Sequence, residues 1–481
     1  MRILMVSSEA VPFSKSGGLA DVATSLSMAL AGLGNDVRLI LPCYGSTDDS
    51  AFTEMPVRLE LPISSRSETV GYLQKQHSGI TVYLVTHPSF TTRKGIYGDT
   101  SFAPYADNLL RYTLLSKAAL ALCKEIGWIP DILHGHDWTA GFLPALAKDD
   151  PQKTFAHTKT VFTIHNLAYQ GEFSRCDLLL ADIPVSAKML AGSGLHKKAN
   201  MMKAALESAD IITTVSPTYA KEIQGEEQGC GLDALLRSRS AVLTGILNGI
   251  DTDEWSPEKD ALLDVHYSSA DLSGKAVLKN RLQKRFSLPI DDSVPVIGMI
   301  SRIAEQKGFV ELCQGSPCTL EQIVTDLPVQ LVIIGTGDKA IEEKLTTLAE
   351  LHPNLSVNLI FSNEAAHLVE AGSDFFLMPS RYEPCGLNQM YSLRYGTIPI
   401  ARRTGGLADS IVDIGSPEGT GILFDSMTGV AIHDAVRQAV DLYYGDTQLV
   451  SAIRKRGMAV DFTWMNSAEA YMHVYSKIHK G

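Results

Sequence analysis

The sequence predicts an α/β protein built from two doubly wound, Rossmann-like domains that face each other across a cleft. Short runs rich in Val, Ile and Leu alternate with amphipathic helical patterns along the chain. That alternation is the pattern of parallel sheets covered by helices on both faces. It restarts after Asn248, and 481 residues are too many for one hydrophobic core.

The elements follow in order. Ile3–Val6 reads as a short apolar strand. Asp21–Leu33 has apolar residues at helical spacing and ends near Gly34, and Asp36–Leu41 is the next strand. Asp131–His134, Thr160–Ile164 and Ile211–Val215 read as further buried strands, each running into a polar loop. The second series comprises Val296–Ile300, Gln330–Ile334, Val357–Ile360, Phe375–Met378 and Ile398–Ala401. Between the two series, Ser256–Leu288 is charged and reads as helical. The expected domains are residues 1–248 and 249–460, with 461–481 as a closing segment. In such sheets ligands bind beyond the carboxyl ends of the strands, so the loops there carry the functional reading.

Composition narrows the class. Apolar residues make up 45% and charged residues 20%, which argues against disorder. The net charge of −12 and the lack of a dense Lys/Arg run argue against nucleic-acid binding. An anionic substrate must therefore meet a few placed cations. No stretch of about 18 apolar residues suggests a membrane span, and the opening apolar run breaks at Ser7, too early for a signal peptide. The seven cysteines are scattered, with no Cys-x-x-Cys pair, so free thiols in a cytoplasmic protein are expected.

Six loops carry chemistry. Lys15-Ser16-Gly17-Gly18 follows the first strand and opens a helix. It suits a tight turn and an oxyanion cradle equally. His134-Gly135-His136-Asp137-Trp138 ends a strand. Its His-x-His could present zinc ligands, but no second pair at ligand spacing follows. Polar groups lining a sugar site, or a satisfied turn, are the better readings, and no metal is expected. His165 and Asn166 end another strand, where they can bond sugar hydroxyls or cap the loop. Ser301–Gly308 places Arg302 and Lys307 in one loop, suited to a diphosphate or to a solvated turn. Arg381–Leu387 contains Glu383, Cys385, Gly386 and Leu387 before a helix running to about Tyr395. A carboxylate beside an anion site is unfavourable unless it grips something neutral, such as sugar hydroxyls. Cys385 has no local base and is not expected to be a nucleophile. Arg402-Arg403-Thr404-Gly405-Gly406 repeats the phosphate logic of the first loop. No nicotinamide fingerprint appears, and no cofactor is expected.

Taken together, these stretches resemble the glycogen and starch synthases, retaining glucosyltransferases. The resemblance runs over essentially the whole chain. It includes Lys15–Asp21, Gly95-Ile96-Tyr97-Gly98, His134–Trp138, Thr163–Gly171, Asn248-Gly249-Ile250-Asp251, Ser301–Gly308, Arg381–Leu387, Arg402–Asp409 and Asp461-Phe462-Thr463-Trp464. It implies the GT-B glycosyltransferase fold, with the last helix returning to the first domain. It also implies metal-independent transfer of glucose, with retention, from ADP-glucose to glycogen or a malto-oligosaccharide. By the same resemblance Lys15, Gly17 and Gly18 meet the donor diphosphate from the first domain. Arg302 and Lys307 meet it from the second, with the amides of Gly386, Leu387 and Gly406 nearby. Glu383 holds the glucose hydroxyls, and His165 lies by the reacting face of the sugar. Tyr97, Asp137, Asn166 and Asn248 line the donor site. Ser16 and Ala20 stand where Thr and Gly are more usual. Ser362 stands about where some members carry an aromatic against the base, which bears on the choice of ADP-glucose over UDP-glucose. The other readings are a different retaining GT-B glucosyltransferase using UDP-glucose and a glucan-binding scaffold without catalysis.

Overall fold

Contacts in the computed structural model divide the chain into two units, Met1–Gly249 with Trp464–Gly481, and Ile250–Thr463. The structure describes residues 1–63, 66–99, 101, 103–180, 190–191 and 198–479.

The strands of the first unit are β1 (Arg2–Val6), β2 (Asp36–Pro42), β3 (Thr53–Ile63), β4 (Arg66–His77), β5 (Ile80–Thr86), β6 (Ile132–His136), β7 (Lys159–Ile164), β8 (Glu172–Phe173), β9 (Leu190–Ala191), β10 (Lys198–Asn200), β11 (Ile211–Thr214) and β12 (Leu243–Gly245). Nine of them form one sheet in the order β12-β11-β7-β6-β1-β2-β5-β4-β3. Neighbours from β12 to β5 are parallel, and β4 and β3 close the edge antiparallel. Ile3, Leu4, Met5 and Val6 are all buried, as a central strand covered on both faces requires. The sequence reading lacks β3, β4, β5 and β12. The β3 signal was an alternation: Met55, Leu61 and Ile63 are buried while Pro56, Arg58, Glu60 and Pro62 between them are exposed.

The closing helix Trp464–His479 belongs to this unit for a simple reason. Trp464, Ala468, Tyr471 and Tyr475 fall on one face at helical spacing. That face joins the buried cluster of Ile3, Met5, Leu26 and Leu30. Ser467 Oγ donates to the Leu247 carbonyl at 2.6 Å.

The second unit holds β13 (Val296–Ile300), β14 (Gln330–Ile334), β15 (Leu355–Asn358), β16 (Phe375–Met378), β17 (Ile398–Arg402) and β18 (Ile422–Phe424). They form a parallel sheet in the order β15-β14-β13-β16-β17-β18. β15 lies two residues earlier than the apolar run at 357–360 suggested, and Leu359 and Ile360 are exposed beyond its end. Of the charged stretch 256–288, only Ser273–Arg285 is α-helical. Trp255 explains part of the remainder. Its ring lies between those of His367 and Tyr391, each stacked at 3.8 Å, which fastens the incoming chain to two helices.

Candidate active site

In the first unit the loop after β1 is organised by Glu9, a residue the sequence reading passed over. Its carboxylate is 2% exposed. One oxygen accepts from the Ser16 amide at 2.5 Å and the Gly17 amide at 3.2 Å. The other accepts from Ser16 Oγ at 2.9 Å and from Tyr97 Oη at 2.6 Å. This corrects one expectation: the Gly17 N–H already serves a carboxylate and is no open phosphate donor. Gly17 itself faces space, since a Cβ there would meet nothing within 4 Å. Gly18 opens the helix Gly18–Gly32. Lys15 Nζ is 2.8 Å from Asp21 and half exposed.

The loops after β6 and β7 are tied to each other. Asp137 adopts φ +54°, a backbone region non-glycine residues seldom occupy. Its Oδ1 accepts from the His165 amide at 2.8 Å and the Asn166 amide at 3.4 Å. Burial pushes its carboxyl up to about 7; those two amide bonds oppose the rise, and the negative charge of Glu9 adds to it. His136 Nδ1 lies 3.0 Å from His165 Nε2. Burial depresses both rings, His136 to about 3 and His165 well below the ordinary imidazole range, so both are neutral near pH 7. His134 is bonded to Tyr475 Oη at 2.8 Å and Thr163 Oγ1 at 2.6 Å. Asn166 Oδ1 accepts from the Ala168 amide at 3.1 Å. Asn248 is buried, and its Oδ1 has no partner among the described residues.

In the second unit the loops after β13, β16 and β17 meet. Lys307 Nζ lies 2.5 Å from Glu383 Oε2, which also accepts from Ser380 Oγ at 2.9 Å. Arg302 is exposed and reaches only Gln306, at 3.5 Å, with no carboxylate partner among the described residues. Gly308 has φ +81°, and a Cβ there would stand 2.1 Å from the Pro379 carbonyl. That close approach brings the loop of Lys307 against the strand end leading to Glu383. Gly405 and Gly406 serve the same purpose from β17. Their Cβ atoms would fall 1.9 Å from the Glu383 carbonyl and 2.0 Å from that of Cys385.

The Gly406 amide differs from expectation. It donates to the Glu383 carbonyl at 3.0 Å, so it fixes the carboxylate's backbone and is not open to a phosphate. Thr404 and Cys385 are buried beneath this loop, and Gly386 turns it at φ +70° into the helix after Leu387. Ser362 also differs. Its hydroxyl caps the helix Asn363–Gly372, accepting from the Ala365 amide at 3.2 Å and donating to Glu364 at 2.7 Å. The adjacent Phe361 is 97% exposed.

Comparison with known proteins interprets this arrangement. Residues 2–238 match the starch synthase catalytic domain, and residues 280–456 match glycosyl transferases group 1. Over 481 aligned residues the chain is 42% identical to glycogen synthase of Treponema denticola, covering 99% of this chain and 98% of that one. The chain belongs to the glycogen synthase family. The glycogen synthase of Myxococcus xanthus is 44% identical, with 98% of each chain covered. The catalytic domain of starch synthase IV from Arabidopsis thaliana, solved bound to ADP and acarbose, superposes with a TM-score of 0.90 at 31% identity. The match covers 100% of this chain and 99% of that one. Like that synthase, this chain has the GT-B fold with two Rossmann-like units, and like its family it is a glycosyltransferase. A sucrose-phosphate synthase from Thermosynechococcus elongatus shares the fold at a TM-score of 0.62 and 16% identity.

Proposed function

We propose that this chain transfers glucose from ADP-glucose to the non-reducing end of an α-1,4-glucan, with retention, releasing ADP. The observation that carries the reading is the Lys307–Glu383 pair, with Arg302 exposed on the same loop as Lys307. Breaking the bond from the anomeric carbon to phosphate builds negative charge on the diphosphate and cationic character on the sugar. Arg302 and Lys307 stabilise the leaving diphosphate, and Lys15 adds a further cation. Glu383, an acceptor beside those cations, takes hydroxyl protons of the glucose. His165 is neutral, so it meets the sugar by hydrogen bonding without adding charge. Asp137 holds the main chain of His165 and Asn166. Tyr97 and Asn248 line the donor site.

Among the described residues Glu383 meets Lys307 and Ser380 and no second carboxylate is paired with it. The acceptor hydroxyl therefore attacks from the leaving group's own face, and a phosphate oxygen takes its proton. Residues 1–248 supply the acceptor side and 249–460 the donor side. Glycogen and malto-oligosaccharides are the acceptors. The donor base follows the bound ADP of the Arabidopsis starch synthase domain. We place the enzyme in the cytoplasm, in keeping with seven free cysteines and bacterial relatives. No helix among the described residues is long and apolar enough to cross a membrane.

The test is incorporation of labelled glucose into glycogen from ADP-glucose and, separately, UDP-glucose. Incorporation from ADP-glucose with the higher kcat/KM supports the reading. A preference for UDP-glucose overturns the donor, and no incorporation from either overturns the activity.

A further inference from the structure

We propose that His136 is a positioning residue whose ring locks His165 into one neutral tautomer, with an N–H at Nδ1 offered to a hydroxyl of the bound sugar. The inference deepens the functional reading above and rests on it for the identity of the ligand.

His136 is the last residue of β6, opposite Thr163 of β7 in the parallel register. Its side chain is fully buried. His134, two residues earlier and therefore on the same face, stacks on it with ring centroids 4.2 Å apart and planes 29° apart. His134 is itself held at both nitrogens, by Tyr475 and Thr163. His136 has no freedom to swing unless this stack is broken.

Its Nδ1 lies 3.0 Å from His165 Nε2, so one proton must sit between two neutral rings. There are two ways to place it. If His165 Nε2 carries it, the proton belonging to His136 moves to its own Nε2. That nitrogen is buried with no partner among the described residues. If His136 Nδ1 carries it, the buried Nε2 holds only a lone pair. An orphaned buried N–H is the rarer and costlier defect. His136 Nδ1–H therefore donates, His165 Nε2 accepts, and the proton of His165 resides on Nδ1.

His165 is half-buried, and its Nδ1 makes no hydrogen bond among the described residues, so this N–H remains for a ligand. The main chain of His165 is fixed separately, by Asp137. Burial keeps the rings of His134, His136 and His165 uncharged, which excludes an imidazolium as the bridging donor near neutral pH.

The test uses the full-length protein with 15N-labelled histidine. Long-range proton–nitrogen spectra separate protonated from bare ring nitrogens, and loss of a signal in a His165 variant assigns it. The expected result is a bare Nε2 and a protonated Nδ1 at His165. In His136→Leu that pattern gives way to exchange between tautomers, and kcat falls on the order of tenfold, the loss of one hydrogen bond, with a smaller change in donor KM. His136→Asn can place an amide N–H near the lost donor and recovers most of the loss. A protonated Nε2 at His165 in the parent overturns the proposal, and so does an unchanged kcat in His136→Leu. If that variant does not fold, the parent spectrum still decides. A parent that transfers glucose from no nucleotide donor overturns the functional reading alone, because the spectrum reads the tautomer without turnover.

Discussion

Lys307 and Glu383 come from loops after different strands, yet their charged ends lie 2.5 Å apart. The two residues we propose for the phosphate and the sugar of the donor thus form one ion pair. Lys307→Ala removes the cation and leaves a buried carboxylate with Ser380 as its remaining hydrogen-bond partner among the described residues. A charge-assisted contact contributes roughly 1.5–3 kcal/mol, so kcat/KM falls at least about tenfold. Because the pair acts as a unit, Glu383→Gln combined with Lys307→Ala loses little more than the worse single variant. Steady-state kinetics on the four proteins check this, and fully additive losses would show that the two act separately.

The glycine at 405 makes a steric prediction. Its φ is +44° and its Cβ would stand 1.9 Å from the Glu383 carbonyl. Gly405→Ala must move the backbone that carries Glu383. It is expected to cost about 1–3 kcal/mol of stability and to lower kcat as well. Thermal denaturation and kinetics on the same preparation check both. A variant with parent Tm and parent kcat would mean the loop accommodates the methyl.

The loops that carry the proposed site were legible in the sequence, and the contacts between them were not, for physical reasons. Arg302, Lys307 and Glu383 stood out because cations and a carboxylate beside glycines at strand ends are unusual company. Glu9 did not, since a lone carboxylate after an apolar strand carries no local pattern. Its five hydrogen-bonding contacts reach Ser16, Gly17 and Tyr97, and the last lies 88 positions away. The amides of Gly17 and Gly406 were assigned to the donor diphosphate by the resemblance to the glycogen and starch synthases. Which acceptor an amide meets is settled by tertiary approach, and here the acceptors are Glu9 and the Glu383 carbonyl. The alternation through β3 was present in the sequence, whereas the brief β12 and β18 offered too few residues for a period to show.

Asp137 gives a pH prediction. Its carboxyl is raised from 3.8 to about 7 by burial. The folded state therefore holds a proton that the unfolded state releases between those values. The stability from this group is fully present below about pH 3.8 and is lost as pH rises through about 7. Asp137→Asn keeps an oxygen for the His165 and Asn166 amides and removes the titration. The Tm of the parent relative to the variant should thus fall from about pH 4 to about pH 7 and level off above that. A difference that stays flat across this range would show that Asp137 titrates normally.

Ser362 and Phe361 make opposite predictions. Ser362 is a helix cap, so Ser362→Ala costs about 1 kcal/mol of stability and leaves the ratio of kcat/KM for ADP-glucose and UDP-glucose unchanged. Phe361 presents its ring at the carboxyl end of the sheet, where a base can stack on it for roughly 1–3 kcal/mol. Phe361→Ala should raise the KM for ADP-glucose several-fold. Donor kinetics for both variants check the pair, and a donor effect at Ser362 alone would reverse the assignment.

We propose glucose transfer from ADP-glucose by Arg302, Lys307 and Glu383. Its most direct test is a single time course with ADP-glucose carrying 13C in the glucose, maltoheptaose as acceptor, and NMR detection of both products. New α-1,4 anomeric signals are expected to grow in step with an equal amount of ADP. Both are expected to disappear together in Glu383→Gln. Release of free glucose without chain extension, a β-configured product, or full activity in Glu383→Gln would contradict the proposal.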